Sequence, residues 1–370
     1  MKIALVHDWL TGMRGGEKCL ECFCELFPQA DLYTLIHTRG SCSPVIESMR
    51  IIRSFVDRLP GKDRYYRHML PLFPVAVERF ILKDYDLILS SSHCVAKGVI
   101  PGPNTVHVSY VHSPMRYVWD MYDDYFGPDK VSAPVGMIVP FFATYLRVWD
   151  VASSARVDHF IANSGHVAKR IEKFYRRQAS VIHPPVDLSR FNTAPDIGDY
   201  YLMVSAFAPY KRVDLAIEAF GELGYPLKIV GTGQEDARLR RMAKPNIEFL
   251  GWQPDEALPG LYARCKAFIF PGEEDFGITP LEAMASGRPV IAYAKGGALE
   301  TVRGDEQDDP TGVFFAAQTR DDLIRAVQRF EAQIGRFDPE RIRRHAASWS
   351  RERFMRDMRG ILETLTETLP

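Results

Sequence analysis

Two carboxylates, Glu274 and Glu282, enclose seven residues in the stretch GEEDFGITPLEAMASGRPVIA. An apolar run, AFIF (267–270), precedes it and reads as a buried strand. Thr279 is a good N-cap, Pro280 suits the first helical position, and Glu282 then falls third. T-P-L-E therefore predicts a capping box, with Glu282 reaching back to the Thr279 amide. Gly287 and Pro289 would close that helix. Glu274 has no comparable structural task. It lies more than a turn ahead of the helix, beside Phe276 and Gly277, whose backbone could approach a ligand closely. Amides between Gly277 and Leu281, those of Gly277, Ile278, Thr279 and Leu281, with the helix dipole, favour an anion such as phosphate. A carboxylate beside that phosphate would face the group attached to it, and carboxylates accept hydroxyl protons well. One glutamate would hold a sugar and the other a ribose, with the phosphates between them.

Other groups fit the same chemistry less uniquely. Lys211 follows Pro209-Tyr210 just past the strand-like YLMVSA (201–206), where a cation could meet a diphosphate, helped by Arg212. A surface lysine at a helix start is the plainer alternative, which the context disfavours. Gly15-Gly16 open the first helix with phosphate-accessible amides, or simply make a turn. His112 ends the run VHVSYV (106–111), and its place at a carboxyl strand end favours a functional role over a purely structural one. Asp8 and Trp9 end the first strand and are expected to line a cleft. Gly231-Thr232-Gly233 and the Gly251 segment follow strands where backbone groups would hold a base. The dinucleotide fingerprint is incomplete, because Asp236 stands where its last glycine would be. Asp84-x-Asp86 precedes its strand and reads as a solvated strand entry. Cys19, Cys22 and Cys24 lie on a helical pattern without histidines at ligand distance, so packed thiols are expected, not metal.

The elements that must carry these residues alternate along the chain. IALV (3–6), LILS (87–90), VHVSYV, HFIAN (159–163) and SVIHP (180–184) read as strands. Helical patterns at 16–27, 65–82, 134–155 and 164–175 separate them. The irregular HPPVDLSRFNTAPDIGDY (183–200) breaks the pattern, which then restarts. The expectation is an α/β chain of two doubly wound halves, 1–190 and 197–345, hinged near 190. Open sheets bind ligands beyond their carboxyl strand ends, so two facing sheets would suit a two-substrate transferase. Phe354, Met358, Ile361 and Leu365 form an apolar helical stripe, and the terminal helix (350–370) could pack back onto the first half.

Composition narrows the function classes. The chain has 370 residues, 46% hydrophobic and 25% charged, with a net charge of −1. That is globular, with neither a nucleic-acid footprint nor an acidic tail. No apolar run is read as reaching the ~18–20 residues of a bilayer span. The opening MKIALVHDW reads as a strand, not a leader, and a reducing cytoplasm is expected. RYYRHMLPLFPVAVERFILK (64–83) mixes arginines and aromatics with apolar residues. It can dock on anionic lipid or serve as a helix with a solvated basic face.

E-DFGITPL-E followed by AMASGRPVIA resembles the E-x7-E signature of the retaining glycosyltransferases of the large group 1 (family 4) class. YVHSPMRYVWD (110–120), IANSGHVAKRI (161–171), VIHPPVDLSRF (181–191), APYKRVDLAIEAF (208–220) and GGALETV (296–302) resemble further family segments in the same order. The resemblance covers essentially the whole chain and implies the GT-B fold, two Rossmann-like domains facing across a cleft. It implies that Glu274 contacts donor sugar hydroxyls, Glu282 the ribose, Lys211 the diphosphate, and His112 the sugar. It also places the glycines at 15 and 16 near the diphosphate. The family pairs its lysine with an arginine, and here Ala206 occupies that position. The nearest-looking relatives are mannosyltransferases of O-antigen or exopolysaccharide assembly, which implies GDP-mannose as donor and a glycan or polyprenyl-linked glycan as acceptor. Neither a cofactor nor a metal is implied. A non-catalytic sugar-nucleotide binder and an epimerase on the same plan are the rival readings.

Overall fold

Short runs of branched residues form two all-parallel sheets in the computed structural model. It describes residues 1–127 and 131–366, with only the backbone at Asp63, Arg64, Arg67, Asp124 and Ala133. The chain divides into two compact units, Met1–Pro184 with Phe354–Pro370, and Pro185–Arg353.

The first unit holds β1 (Ile3–His7), β2 (Asp31–Thr34), β3 (Arg50–Arg53), β4 (Leu87–Ser92), β5 (Val106–Val111), β6 (His159–Ala162) and β7 (Ala179–Val181). Their order across the sheet is β3-β2-β1-β4-β5-β6-β7. Register sets His7 of β1 opposite Ser91 of β4, and Ser91 opposite Tyr110 of β5. The second unit holds β8 (Tyr201–Val204), β9 (Leu227–Val230), β10 (Ile247–Gly251), β11 (Phe268–Phe270), β12 (Val290–Tyr293) and β13 (Gly312–Phe315), ordered β10-β9-β8-β11-β12-β13. Central strands are buried along their length, and so their sequences read as continuous apolar runs.

Helix packing closes both faces of each sheet. Cys19, Cys22 and Cys24 are buried free thiols on the helix Gly15–Leu26. The terminal helix Arg351–Thr366 buries Phe354, Met358 and Leu362 in the first unit, where Phe354 stacks on Phe23 at 5.7 Å between ring centroids.

Two readings of the sequence are corrected. The expected helix at 65–82 is broken into a 3₁₀ segment, Tyr66–Leu72, and a short helix, Phe73–Glu78. Pro71 and Pro74 withdraw backbone donors there, so apolar spacing alone misleads. The side chains of Arg64 and Arg67, part of the suggested basic face, lie outside the described residues. The second correction concerns spanning length. Pro134–Ser154 is long and apolar enough to cross a membrane, with 17% of its apolar stretch buried. Arg147 and Asp150 interrupt the run in sequence, but Asp150 is fully buried, accepting from Trp119 and Tyr175. The exposed face of the helix Ala133–Ser154 carries Met137, Ile138, Phe141, Phe142 and Val148, with Phe141 77% exposed.

Candidate functional site

In the second unit the chain runs outward from β8 through β9 and β10, then returns to start β11 on the other side of β8. The reversal between β8 and β11 is a topological switch point, where open sheets bind ligands past their carboxyl strand ends. Lys211 comes from the 3₁₀ turn Pro209–Lys211 after β8, and Glu274 from the turn after β11. Lys211 Nζ lies 2.5 Å from Glu274 Oε1, both side chains partly buried at 16% and 17% exposure.

Glycines bring these turns together. A Cβ on Gly272 would sit 2.8 Å from the Tyr210 carbonyl oxygen and 3.1 Å from Lys211 Cα. One on Gly297 would sit 2.3 Å from Phe276 Cα, and the Gly297 amide donates to the Glu274 carbonyl at 2.9 Å. A third, on Gly296, would meet the Glu274 carbonyl oxygen at 2.3 Å. The loop after β12 thus buttresses the Glu274 turn from behind. Sequence reasoning gave none of these three glycines a role. For Gly296 and Gly297 the signal is a Gly-Gly pair two residues beyond β12.

The helix beyond Glu274 begins earlier than the sequence suggests. It spans Ile278–Ala285 and is preceded by Gly277 at φ +88. Thr279 and Glu282 therefore fall second and fifth, and the expected capping box does not form. The left-handed turn is set by packing, since a Cβ on Gly277 would meet Phe270 Cζ at 2.7 Å. Phe276 is buried in the core beside it, so only its backbone is available at the rim. Glu282, 4% exposed, accepts a 2.9 Å hydrogen bond from Tyr262 Oη at Oε2. Burial first, and the neighbouring carboxylate second, push the Tyr262 hydroxyl well above its ordinary range, so it stays a donor.

Gly231 follows β9 and Gly251 ends β10, on the β8-β9-β10 side of the rim, and the Gly231 amide donates to the Gly251 carbonyl at 2.8 Å. The Gly231 conformation, φ +133, is required by Ser205, whose carbonyl oxygen would lie 1.8 Å from an added Cβ. Arg212 adopts a left-handed conformation and bonds Asp214 at 3.2 Å, while Ala206 is exposed just past β8.

In the first unit the order reverses between β1 and β4. Asp8 was expected to line a cleft, and here the structure corrects the sequence. It is fully buried and accepts four backbone amides, from His93 and Cys94 at Oδ2 and from Val95 and Ala96 at Oδ1, at 2.6–2.9 Å. The strand-end amides after β4 are a donor cluster that only a carboxylate could satisfy fully. His112, just past β5, is within 2.8 Å of Ser91 Oγ through Nε2. Gly16 sits against it, since an added Cβ would lie 3.5 Å from His112 Nε2 and from His7 Cε1, and Gly15 begins the same helix. Burial, then the neighbouring His93 and His7, hold the His112 imidazole well below its ordinary value.

The structure thus brings together Lys211, Glu274, Gly277, Ile278 and Thr279 at one rim, with Glu282 buried in the helix behind. Gly15, Gly16 and His112 gather at another. Among the described residues no group of three or more His, Cys, Asp or Glu side chains is arranged to hold a metal ion. Asp86 of the D-x-D accepts the Lys2 amide at 2.5 Å, an anchor at the entry to β4.

Comparison with known proteins covers both units. A family model for "Glycosyltransferase Family 4" matches residues 13–190, and one for "Glycosyl transferases group 1" matches 187–348. The O-antigen chain mannosyltransferase RfbU of Salmonella typhimurium is 28% identical over 228 residues, 56% of this chain and 64% of that protein. The GDP-mannose-dependent alpha-(1-6)-phosphatidylinositol monomannoside mannosyltransferase of Mycolicibacterium smegmatis is 31% identical over 222 residues, 51% of this chain and 56% of that protein. The chain spans about half the length of the curated relatives it matches, 64% of the Salmonella protein and 56% of the Mycolicibacterium one. Among solved structures, Anabaena HepE in complex with UDP superposes with a TM-score of 0.71 at 16% identity, covering 98% of this chain and 100% of that one. Sucrose-phosphate synthase from Thermosynechococcus elongatus gives 0.71 at 18% identity over 99% of each chain. At such identities these two likenesses establish the fold.

Proposed function

We propose that this chain, which belongs to the group 1 glycosyltransferases of GT-B fold, moves a hexose from a nucleotide-diphosphate sugar to a glycan or polyprenyl-linked glycan with retention of configuration. The observation that carries this reading is the Lys211–Glu274 pair at the β8/β11 reversal, beside the amino end of Ile278–Ala285. A diphosphate there would draw Lys211 and the leading amides of the helix, which have no partner within the helix itself. Glu274, released from its cation, would then accept sugar hydroxyls. No step needs a metal, because the lysine and the helix dipole offset the charge on the departing diphosphate. Glu274 positions the sugar, and the acceptor attacks on the leaving-group face, so no side-chain nucleophile is required.

The finer roles follow the family pattern. Glu282, whose Oε2 accepts from Tyr262, is assigned to a ribose hydroxyl. Gly231 and Gly251 offer backbone to the base, Gly15 and Gly16 to the diphosphate, and His112 to the sugar. Arg212, engaged by Asp214, supplies positive field more than a direct contact. Mannose as the sugar and GDP as the leaving group are supported by the naming of the Salmonella and Mycolicibacterium relatives. Glu274→Ala is expected to abolish transfer from GDP-mannose while leaving GDP affinity within about twofold. Intact turnover would remove Glu274 from the site.

We assign the chain to the cytoplasm, peripheral at the inner face of the membrane. The exposed apolar face of Ala133–Ser154 supports this better than residues 64–83 alone. The two are joined, since Trp149 Nε1 donates to Glu78 Oε1 at 2.8 Å, and Leu72, Val75, Arg79 and Lys83 are exposed on the same segment. Phe141→Ser with Phe142→Ser should abolish co-sedimentation with anionic vesicles. Undiminished binding would exclude this face.

One observation favours a second reading. Ala206 leaves the diphosphate with one cation fewer than the family provides, which suits a binder without turnover. Donor binding with neither transfer nor slow donor hydrolysis would select it.

A further inference from the structure

Three side chains of the first unit line up behind the His112 ring. Glu17, 3% exposed, lies in the first turn of the helix Gly15–Leu26, and His7, 1% exposed, ends β1. Ser91, fully buried in β4, is opposite His7 in register. Ser91 Oγ is 3.0 Å from His7 Nδ1 and 2.8 Å from His112 Nε2. His7 Nε2 is buried without a hydrogen-bond partner and faces Glu17 Oε1 at 3.7 Å.

We propose that Glu17, His7 and Ser91 act as positioning residues that fix the neutral His112 ring with its proton on Nε2. Nδ1 is thereby left as the acceptor for a substrate hydroxyl. The inference rests on the assignment of His112 to the sugar.

Each link has one electrostatically favoured polarity. A proton on His7 Nε2 is attracted to the Glu17 carboxylate, whereas a lone pair there would be repelled. Burial pushes the Glu17 carboxyl up, but the nearby His7 and His93 rings outweigh it, so it lies below its ordinary value and is ionised. With its proton held at Nε2, His7 presents a lone pair at Nδ1, to which Ser91 must donate its single proton. With that proton committed, Ser91 Oγ can only accept from His112 Nε2. No proton travels along the chain; it sets a tautomer, as a carboxylate does for an imidazole in hydrolase triads. His93 stands apart. Its ring is 6.4 Å from His112, centroid to centroid, and its Nδ1 lies 3.2 Å from the amide-bound Asp8.

Glu17→Gln is the decisive variant, because its orientation is already determined. The Arg14 amide donates to Glu17 Oε2 at 3.1 Å, so the glutamine oxygen stays there and its NH₂ turns to His7 Nε2. His7 must then protonate at Nδ1, Ser91 must accept from it and donate to His112 Nε2, and the His112 proton moves to Nδ1.

The test is ¹⁵N NMR of histidine-labelled full-length protein at pH 8, with His112→Gln for assignment, alongside transfer kinetics. Wild type is expected to show His112 as the Nε2–H tautomer. Glu17→Gln is expected to show the Nδ1–H form with kcat down on the order of 10²-fold and donor KM little changed. Ser91→Ala should lose the preference, and Ser91→Thr should restore it. An Nδ1–H His112 in wild type overturns the proposal even if every variant misfolds. So does a Glu17→Gln protein with unchanged tautomer. If the wild-type tautomer is as stated but His112→Gln transfers normally, the relay stands and the assignment of His112 to the sugar falls.

Discussion

The two sheets reverse their strand order in the same way, yet they treat the reversal oppositely. Between β1 and β4 the chain fills its own anion site, with Asp8 taking four amides after β4. Between β8 and β11 it offers instead a lysine and a glutamate paired with each other at the rim, with a helix start alongside. The Asp8 carboxylate satisfies the amides after β4, so at the first reversal only the helix start at Gly15 and Gly16 remains to meet a phosphate. At the second, a diphosphate can replace Glu274 as the partner of Lys211. The same strand reversal thus holds a built-in anion anchor in one unit and, on the proposed reading, the lysine that meets the diphosphate in the other.

The comparison breaks first at Asp8. Asp8→Ala would orphan buried amides that water cannot reach, at a cost of at least about 4 kcal/mol. Hydrogen exchange should show the first unit losing protection while peptides of 185–353 keep theirs. Equal loss in both units would contradict the anchor role.

Acid sharpens the contrast next. Burial lowers His107 to about 4, and holds His93 and His112 below their ordinary value as well. An unfolded chain takes up these protons first. The stability is therefore complete above the ordinary imidazole value of about 6.5 and is lost as pH falls toward the folded value. For His107 alone the loss approaches about 3 kcal/mol. His345 is the one histidine between Pro185 and Arg353, so the first unit should open first between pH 6.5 and 4.5 in exchange measurements. Simultaneous opening would assign acid sensitivity to carboxylates instead.

At the second reversal Lys211→Ala should weaken nucleoside-diphosphate binding by roughly 30-fold, about 2 kcal/mol, with little change in thermal stability. Calorimetric titration with GDP checks it, and unchanged affinity would detach Lys211 from the diphosphate. The smallest effect is expected from Tyr262→Phe. Loss of its bond to buried Glu282 should cost about 1–2 kcal/mol of stability in urea unfolding. A stability-neutral change would mean that Glu282 is satisfied without it.

Much of this was legible in the residues. β5 was read with its observed bounds, and most other strands to within two residues, because central parallel strands are buried on both faces and leave uninterrupted branched runs. β2 and β3 went unmarked because DLYT and RIIR are short and carry charges at their ends. Lys211 and Glu274 stood out as charged residues just past strand ends. Their meeting depends on Gly272, Gly296 and Gly297, whose close contacts join segments far apart in sequence. The helix start was misplaced for a similar reason. T-P-L-E is a valid local cap, but Gly277 packed on Phe270 starts the helix first. Asp8 gave no hint of burial, since its partners lie some 85 residues onward.

The most direct measurement is a crystal structure of the wild-type chain with GDP-mannose. The expected result has the diphosphate within hydrogen-bond distance of Lys211 Nζ and the first amides of Ile278–Ala285, with mannose hydroxyls on Glu274. A donor bound elsewhere, with the Lys211–Glu274 ion pair still closed, would contradict it.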